Sequence, residues 1–175
     1  MKKPLIVYFS RAGENYFGGT LRYVDVGNTE IVVRLMEKYV EAEVFKLEME
    51  HPYAKDYNTC IAEAKEDIRK KARPALRRDL DSLADYDTVI LAYPNYWGTF
   101  PMVVATFLKA HDFTGKTILP LCTNEGSGMG SSQRMIAALA KGAEVRKGLS
   151  IRGSGAAQSG PQVKAWLREN GIAAM

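Results

Sequence analysis

The sequence predicts a doubly wound α/β fold, in which helices cover both faces of a five-stranded parallel sheet. Short apolar segments alternate with segments of helical spacing along the whole of the 175 residues, the pattern of repeated β-α units. The apolar run within residues 87–94 is continuous, which is typical of a strand covered on both faces. Right-handed crossovers limit the arrangement to a few doubly wound strand orders.

The individual elements follow from residue type and spacing. Strands are predicted at residues 4–9, 42–48, 87–94, 116–122 and, more weakly, 144–153. Helices are predicted at residues 28–41, 59–72, 101–111, 131–142 and 160–171. Asn28 is the expected N-cap of the first helix, and Gly142 and Gly171 are expected to end the last two.

Length and composition indicate one ordinary globular domain, expected to span residues 1–175. Hydrophobic residues make up 46% of the chain and charged residues 25%. No apolar run approaches the roughly 18 residues of a membrane span. The first apolar run is too short for a secretory signal. We therefore expect a cytoplasmic protein with no membrane span.

The charged and metal-binding residue types exclude two classes of function. The net charge of +4 owes much to residues 65–78, where no aromatic residue is available to stack on bases, so nucleic-acid binding is not expected. Cys60 and Cys122 lack metal-ligand or redox spacing, and His51 and His111 stand in no motif. We predict no metal site and no catalytic side chain.

The loop after the first strand resembles an anion-binding turn that has been opened. Ser10 and Arg11 end the strand, and Asn28 and Thr29 open the first helix, where backbone N–H groups and the helix dipole favour an anion. An ordinary helix cap with a flexible loop is the alternative. Residues 12–26 form an insertion, and Gly18-Gly19 predicts a turn at the tip of a hairpin or lid.

Two further loops lie at the same predicted sheet edge. Residues 93–101 place four aromatic side chains after the third strand, either as a hydrophobic lid or as a surface for a flat aromatic ligand. Residues 122–133 are rich in glycine, but Ser131 stands where a G-x-G-x-x-G dinucleotide fingerprint requires its third glycine.

Taken together, VYFSR…GNTE, LAYPNYWGTFP and PLCTNEGSGMG resemble the flavodoxin-like family of FMN-binding proteins, which includes quinone reductases. The resemblance implies strand order 2-1-3-4-5, with FMN at the switch point between the first and third strands. It implies that the phosphate is held by Ser10, Arg11, Asn28 and Thr29, with Ala12 and Gly27 in the same loop. It implies that the isoalloxazine is flanked by Pro94, Asn95, Tyr96, Trp97, Gly98 and Thr99, and by Thr123, Asn124, Glu125, Gly126 and Gly128.

The resemblance also implies redox chemistry carried by the flavin. Backbone groups near Gly98 are expected to face flavin N5, and N–H groups from Asn124 to Gly128 its pyrimidine edge. The first function implied is an electron carrier that docks with a redox partner protein. The alternatives are an NAD(P)H-dependent reductase of quinone-like or nitro-compound acceptors, and a non-redox module that binds another phosphate ligand.

Overall fold

A parallel sheet forms the centre of the computed structural model, which describes residues 2–172. Its strands are β1 (Leu5–Tyr8), β4 (Glu43–Lys46), β5 (Thr88–Pro94), β6 (Thr117–Asn124), β7 (Glu144–Val145) and β8 (Leu149–Arg152). The order is β4-β1-β5-β6-β7, and β8 also pairs with β6. The predicted flavodoxin-like order 2-1-3-4-5 is confirmed.

The fifth predicted strand is divided into β7 and β8 at Pro120 of β6. The register shifts by one residue between the pairs Thr117↔Glu144 and Leu121↔Leu149. Pro120 has no N–H group to donate to the neighbouring strand, so the ladder is interrupted beside it. The division explains why this strand gives the weakest pattern in the sequence.

The five predicted helices all form. They are α1 (Asn28–Met36), α2 (Tyr57–Arg69), α3 (Met102–Ala110), α4 (Ser132–Leu139) and α5 (Gly160–Glu169), and a short 3-10 helix spans Gly153–Gln158. The predicted N-cap of α1 was wrong. The N-cap is Gly27, with an extended backbone, and Asn28 is the first helical residue.

Two apolar cores cover the two faces of the sheet. Side chains of β1 alternate between them, since Leu5 and Val7 join the core with α3, whereas Ile6 and Tyr8 join the core with α1 and α5. Burial on both faces requires apolar residues at every position, which is the continuous pattern seen in the sequence. Within residues 2–172, no helix is both long and apolar enough to cross a membrane.

The segment between β1 and α1 forms an antiparallel hairpin of β2 (Gly13–Phe17) and β3 (Thr20–Val24). Gly18 and Gly19 form its turn with φ values of 59° and 97°, as the sequence predicts. The hairpin is fastened near its base, because Glu14 N–H donates to the Lys55 carbonyl at 3.0 Å. The Glu14 carboxylate also accepts from the first backbone N–H of α2, at 3.1 Å.

Candidate functional site

A cavity of about 370 Å³ opens at the carboxyl edge of the sheet, where the loops after β1, β5 and β6 meet. Its volume lies within the range of small-molecule sites. Of the predicted site residues, it is lined by Ser10, Arg11, Asn28, Thr29, Pro94, Asn95, Tyr96, Trp97, Gly98, Thr123, Asn124 and Glu125. The three predicted loops are thus brought together around one cavity.

The remaining predicted site residues lie outside the cavity lining. They are Ala12, Gly27, Thr99, Gly126 and Gly128. Ala12 is exposed, and Thr99 is buried with its hydroxyl directed to the sulfur of Met135 at 2.9 Å. Gly27 is the N-cap of α1 and lies next to Ser10 and Arg11.

The other lining residues are Asn15, Tyr16, Tyr57, Ile61, Ala64, Ser127 and Gly153. Ser127 falls within the stretch from Asn124 to Gly128 that the resemblance places at the pyrimidine edge, whereas the three α2 residues Tyr57, Ile61 and Ala64 were not predicted. Tyr57, Ile61 and Ala64 follow the i, i+4, i+7 spacing of one helix face, and this spacing can be seen in the sequence. The spacing shows that the three residues share a face, but it does not show whether that face borders a cavity.

The first turn of α1 is completed by a side chain from the end of β1. Ser10 Oγ accepts a hydrogen bond from Glu30 N–H at 3.1 Å and supplies the cap that Gly27 has no side chain to make. A Cβ atom on Gly27 would collide with Ser10 Oγ and lie 2.6 Å from the Arg11 carbonyl oxygen. Glycine is therefore required here by close approach, and the α1 N-terminus stays open to an anion.

Arg11 makes contacts within the chain that the sequence does not predict. Each of its three guanidinium nitrogens donates to a backbone carbonyl, with Nη1 bonded to Glu14 and Nη2 to Ala54 and Lys55 at 2.8 and 2.6 Å. These neutral acceptors leave its positive charge in place beside the cavity. Arg11 thus fastens the hairpin to residues 54–55 and contributes charge, while its N–H groups are largely taken.

The loops after β5 and β6 are held together by their own polar groups. Asn95 Nδ2 donates to the Gly128 carbonyl, and its Oδ1 accepts from Gly98 N–H, both at 2.9 Å. The Gly98 carbonyl accepts from Ser131 N–H at 2.8 Å. Both backbone groups of Gly98, which we expected to face flavin N5, are therefore occupied within the chain.

Two of the N–H groups expected at the pyrimidine edge are also occupied. Asn124 Oδ1 accepts from Gly126 N–H at 3.0 Å and from Gly128 N–H at 2.9 Å. The amide nitrogen of Asn124 donates to Ser150 Oγ at 2.8 Å. This side chain fixes the shape of the loop from within and uses two of the donors that the resemblance assigned to the flavin, the N–H groups of Gly126 and Gly128.

The aromatic residues after β5 divide between core and cavity. Tyr93 and Phe100 are fully buried, and Tyr96 packs against Phe9 with ring centroids 6.2 Å apart. Burial raises the pKa of the Tyr96 hydroxyl. Trp97 is exposed, at 52%, and Tyr96 is half-buried and also lines the cavity, so two of the four aromatic rings of this loop face the cavity.

Trp97 is held firmly in spite of its exposure. Its φ of 55° lies in the left-handed region, which costs a non-glycine residue energy and persists where neighbouring contacts impose it. The indole N–H donates to the Ile61 carbonyl at 2.8 Å, and the Lys65 ammonium lies 4.8 Å from the ring centroid. The ring is a rigid wall of the cavity.

Three buried oxygens at the polar end have no hydrogen-bond partner within residues 2–172. They are Asn28 Oδ1 and both carboxylate oxygens of Glu125. Arg152 Nε is 3.7 Å from the nearer Glu125 oxygen, too long for a hydrogen bond. Both side chains approach Gly153, where a Cβ atom would lie 3.0 Å from Glu125 Oε1. Unpaired buried acceptors are costly, so this end of the cavity favours a ligand that carries donors such as hydroxyls.

The cysteine thiols lie outside this chemistry. Cys60 and Cys122 are both free and buried. Burial raises the pKa of both thiols, that of Cys122 to about 12, so neither is a ready thiolate at neutral pH. In the described part of the chain, no cluster of three or more His, Cys, Asp or Glu side chains is arranged to hold a metal ion.

Comparison with known proteins gives a family and a set of similar folds. The family model described as flavodoxin matches residues 21–170. No curated protein sequence matches the chain significantly.

Three solved structures are similar over nearly their full lengths. A candidate flavoprotein from Bacteroides eggerthii DSM 20697 is 22% identical, with a TM-score of 0.76 over 98% of this chain and 99% of its own. Another from Bacteroides uniformis ATCC 8492 is 26% identical, with a TM-score of 0.74 over 95% and 98%. A flavoprotein in complex with FMN from Lactobacillus acidophilus NCFM is 16% identical, with a TM-score of 0.63 over 90% and 98%.

Proposed function

We propose that this chain, which belongs to the flavodoxin family, binds FMN in the cavity. It transfers electrons through the bound flavin. FMN supplies the redox chemistry when bound, and the protein supplies position and electrostatics. The Lactobacillus acidophilus flavoprotein of similar fold is a complex with FMN. A redox partner protein would deliver or remove the electrons.

The polar end of the cavity is the main support for this proposal, because it places hydrogen-bond donors next to hydrogen-bond acceptors. The α1 N-terminus presents donors and a positive dipole end, which suit a phosphate. Asn28 Oδ1 and the Glu125 carboxylate present acceptors that have no hydrogen-bond partner among residues 2–172, which suit hydroxyl groups. A phosphate linked to a polyol, such as the ribityl phosphate of FMN, satisfies both positions at once.

The other end of the cavity suits a flat ring. Trp97 offers a rigid indole, and the loops after β5 and β6 are fixed by Asn95 and Asn124 before any ligand binds. Fixed walls reduce the ordering cost of binding and exclude water from the ring. The described chain needs no side-chain acid or base for electron transfer.

Substitution of Gly27 tests the proposal. Gly27→Ala places a methyl group against Ser10 Oγ and the Arg11 carbonyl, which displaces the Ser10 side chain from the α1 N-terminus. We expect FMN affinity to fall by roughly tenfold to a hundredfold, the effect of losing one hydrogen bond to a charged group. The measurement is quenching of FMN fluorescence on titration with protein.

Gly155→Ala is the matched control, because its Cβ meets no atom within 4 Å. It should bind FMN as the unaltered protein does. If the unaltered protein takes up no FMN and remains colourless, the proposal fails. A non-redox protein that binds another phosphate ligand then becomes the better explanation. Equal FMN affinity in both variants would contradict the assigned position of the phosphate.

A second candidate is an enzyme that takes electrons directly from NADH or NADPH and reduces a quinone-like or nitro-compound acceptor. The favouring observation is aromatic surface at the cavity, where Trp97 is 52% exposed and Tyr16 is 45% exposed. Such surface can stack on a second ring. Steady oxidation of NADH or NADPH with a quinone, without added reductase, would favour the enzyme. Activity only with a separate reductase would favour the carrier.

A further inference from the structure

The net positive charge of the chain is concentrated in one segment, residues 65–78. This segment holds seven Lys or Arg residues and two acidic residues, a net charge of +5, whereas the whole chain carries +4. The rest of the chain therefore sums to −1. All seven cationic residues are exposed, and we call them the basic surface: Lys65, Arg69, Lys70, Lys71, Arg73, Arg77 and Arg78.

Carboxylates of the same chain neutralise only part of this charge. Glu66 forms ion pairs with Arg69 and Lys70, and Glu48 pairs with Arg77 at 3.4 Å. Among residues 2–172, the other four members of the basic surface form no ion pair. They are Lys65, Lys71, Arg73 and Arg78. Their charge is available to a molecule outside the chain, and summed surface charges of one sign create a field that attracts the opposite sign.

One end of the basic surface lies at the rim of the cavity. The Lys65 ammonium is 4.8 Å from the ring centroid of Trp97, which lines the cavity and is 52% exposed. Ala64, the preceding residue of α2, lines the cavity as well. The basic surface therefore begins at the edge of the proposed FMN site.

The other end of the segment lies at the same edge of the sheet. Residues 75–77 pair with residues 48–50, and the Arg77 N–H donates to the Glu48 carbonyl at 2.8 Å. Residues 48–50 follow β4, which runs parallel to β1 in the sheet. The carboxyl end of β4 therefore points to the edge where the cavity opens. Both ends of the segment lie on the cavity side of the molecule.

We propose that the basic surface is the docking surface for an acidic redox protein, one with clustered Asp and Glu side chains around its own redox centre. The inference rests on the proposed function, because it names the chemistry of the partner that exchanges electrons with the same site. Opposite potentials speed association and exclude partners of like charge. A partner bound on the basic surface would sit beside the cavity, where electrons enter and leave.

An acidic protein fits this surface better than a nucleic acid does. Residues 65–78 contain no aromatic side chain that could stack on bases. The carboxylates of Glu48 and Glu66 stand among the cations. Such mixed charge suits a protein partner, whose surface also mixes both signs, and it opposes a continuous row of phosphates.

Electron transfer to two haem proteins of opposite charge tests the docking surface. The probes are cytochrome b5, which is acidic, and cytochrome c, which is basic. Each takes one electron from the reduced, FMN-loaded protein, and its ferric haem becomes ferrous, so stopped-flow haem absorbance gives the rate constant. We expect the rate with cytochrome b5 to fall at least tenfold between roughly 0.01 M and 1 M ionic strength, because salt screens the attraction. The rate with cytochrome c should not fall.

A double charge reversal, Lys71→Glu with Arg73→Glu, removes two unpaired cations of the basic surface. Neither residue lines the cavity, so FMN affinity should stay within about twofold. At roughly 0.1 M ionic strength we expect the rate with cytochrome b5 to fall about tenfold or more, since attraction at the docking surface turns into repulsion. The dependence of this rate on salt should flatten.

Lys109→Glu with Lys141→Glu is the matched control, because each double variant lowers the net charge from +4 to 0. Both lysines are exposed and lie towards the opposite edge of the sheet. Lys109 is in the last turn of α3, and Gly142, next to Lys141, accepts from the Gly115 N–H just before β6 begins. The control should react with cytochrome b5 within about twofold of the unaltered protein, since distant charges are screened.

Three results would overturn the assignment. The first is an unchanged rate with cytochrome b5 in Lys71→Glu with Arg73→Glu. The second is an equal loss of rate in both double variants, which would show that net charge acts and not the basic surface. The third is a short DNA duplex that binds more tightly than cytochrome b5 and loses affinity only in the first variant, which would assign the surface to nucleic acid.

Failure to take up FMN would refute the proposed function by itself. Calorimetric titration of the FMN-free protein with cytochrome b5 would then decide the docking surface separately. Binding that weakens in Lys71→Glu with Arg73→Glu, and not in the control, would support it, and no binding would overturn it.

Discussion

At the scale of single residues, three hydroxyl side chains hold the polar end of the cavity together by hydrogen bonds between segments that are far apart in sequence. Ser10 caps a helix that begins 18 residues later, at Asn28. Thr29 and Thr123 hydroxyls lie 2.8 Å apart, and both residues are buried. This pair connects the α1 N-terminus to the carboxyl end of β6, so the two halves of the candidate site share one hydrogen bond.

The threonine pair allows a double-mutant test. Thr29→Val leaves the Thr123 hydroxyl buried without its partner, and should lower the free energy of unfolding by about 1–3 kcal/mol. Thr123→Val should act similarly. The double variant removes both hydroxyls and should cost clearly less than the sum, measured by urea unfolding. Thr20→Val, on the exposed hairpin, is a control with little expected effect. Strict additivity would contradict a direct bond between the pair.

At the scale of elements, the hairpin is an insertion between β1 and α1 whose two ends lie close together. A Cβ atom on Gly27 would lie 2.6 Å from the Arg11 carbonyl, so the two ends of the excursion are adjacent. The residues on either side of the insertion, Arg11 and Gly27, are therefore in contact with each other. Because loop ends that meet can be joined directly, the hairpin is separable from the sheet in principle.

Excision of residues 12–26 tests this separability. Arg11 would then connect directly to Gly27 and lose its bond to the Glu14 carbonyl. We expect the protein to fold and to bind FMN roughly tenfold more weakly, the effect of about one charge-assisted contact. Fluorescence titration measures the affinity, and circular dichroism on heating checks the fold. Complete loss of FMN binding by a folded variant would show that the hairpin is an essential part of the site.

At the scale of the whole molecule, the two cores set both the position of the site and the response to pH. Covering both faces of the sheet leaves its carboxyl edge as the place where the loops after β1, β5 and β6 converge. The same cores hold ionisable groups in their neutral forms. Burial raises the pKa of Tyr53, Tyr93 and Tyr96, and that of Cys122 to about 12.

These raised pKa values predict a loss of stability in alkali. The unfolded chain releases the protons near the ordinary pKa values, at about 8.5 for Cys and 10 for Tyr, whereas the native state retains them. Stability is therefore complete below about pH 8 and falls as pH rises, by up to roughly 1.4 kcal/mol per pH unit for each group. Urea unfolding at pH 7.5, 9 and 10 measures the slope. Tyr93→Phe removes one such group and should show a shallower slope; a flat profile in the unaltered protein would contradict the prediction.

The sequence predicts much of the fold because its signals are local. Continuous apolar strands, helical spacing and terminal glycines depend on neighbouring residues, and the alternating strands and helices that they imply are confirmed. The sheet order, which the family resemblance implies, is confirmed as well. The N-cap of α1 was assigned wrongly because the capping hydroxyl of Ser10 comes from outside the helix. Pro120 interrupts a strand other than its own, which a single segment does not reveal.

The sequence by itself determined the alternation of strands and helices, the three loops at one sheet edge and the hairpin turn at Gly18-Gly19. Only the tertiary structure decided how polar groups are paired across those loops. Arg11 donates to the carbonyls of residues 54–55, while Asn28 and Glu125 keep oxygens that have no hydrogen-bond partner in the described part of the chain. The physical reason is distance along the chain. Hydrogen-bond partners and cavity walls come from segments far apart in sequence, and only packing brings them within reach of one another.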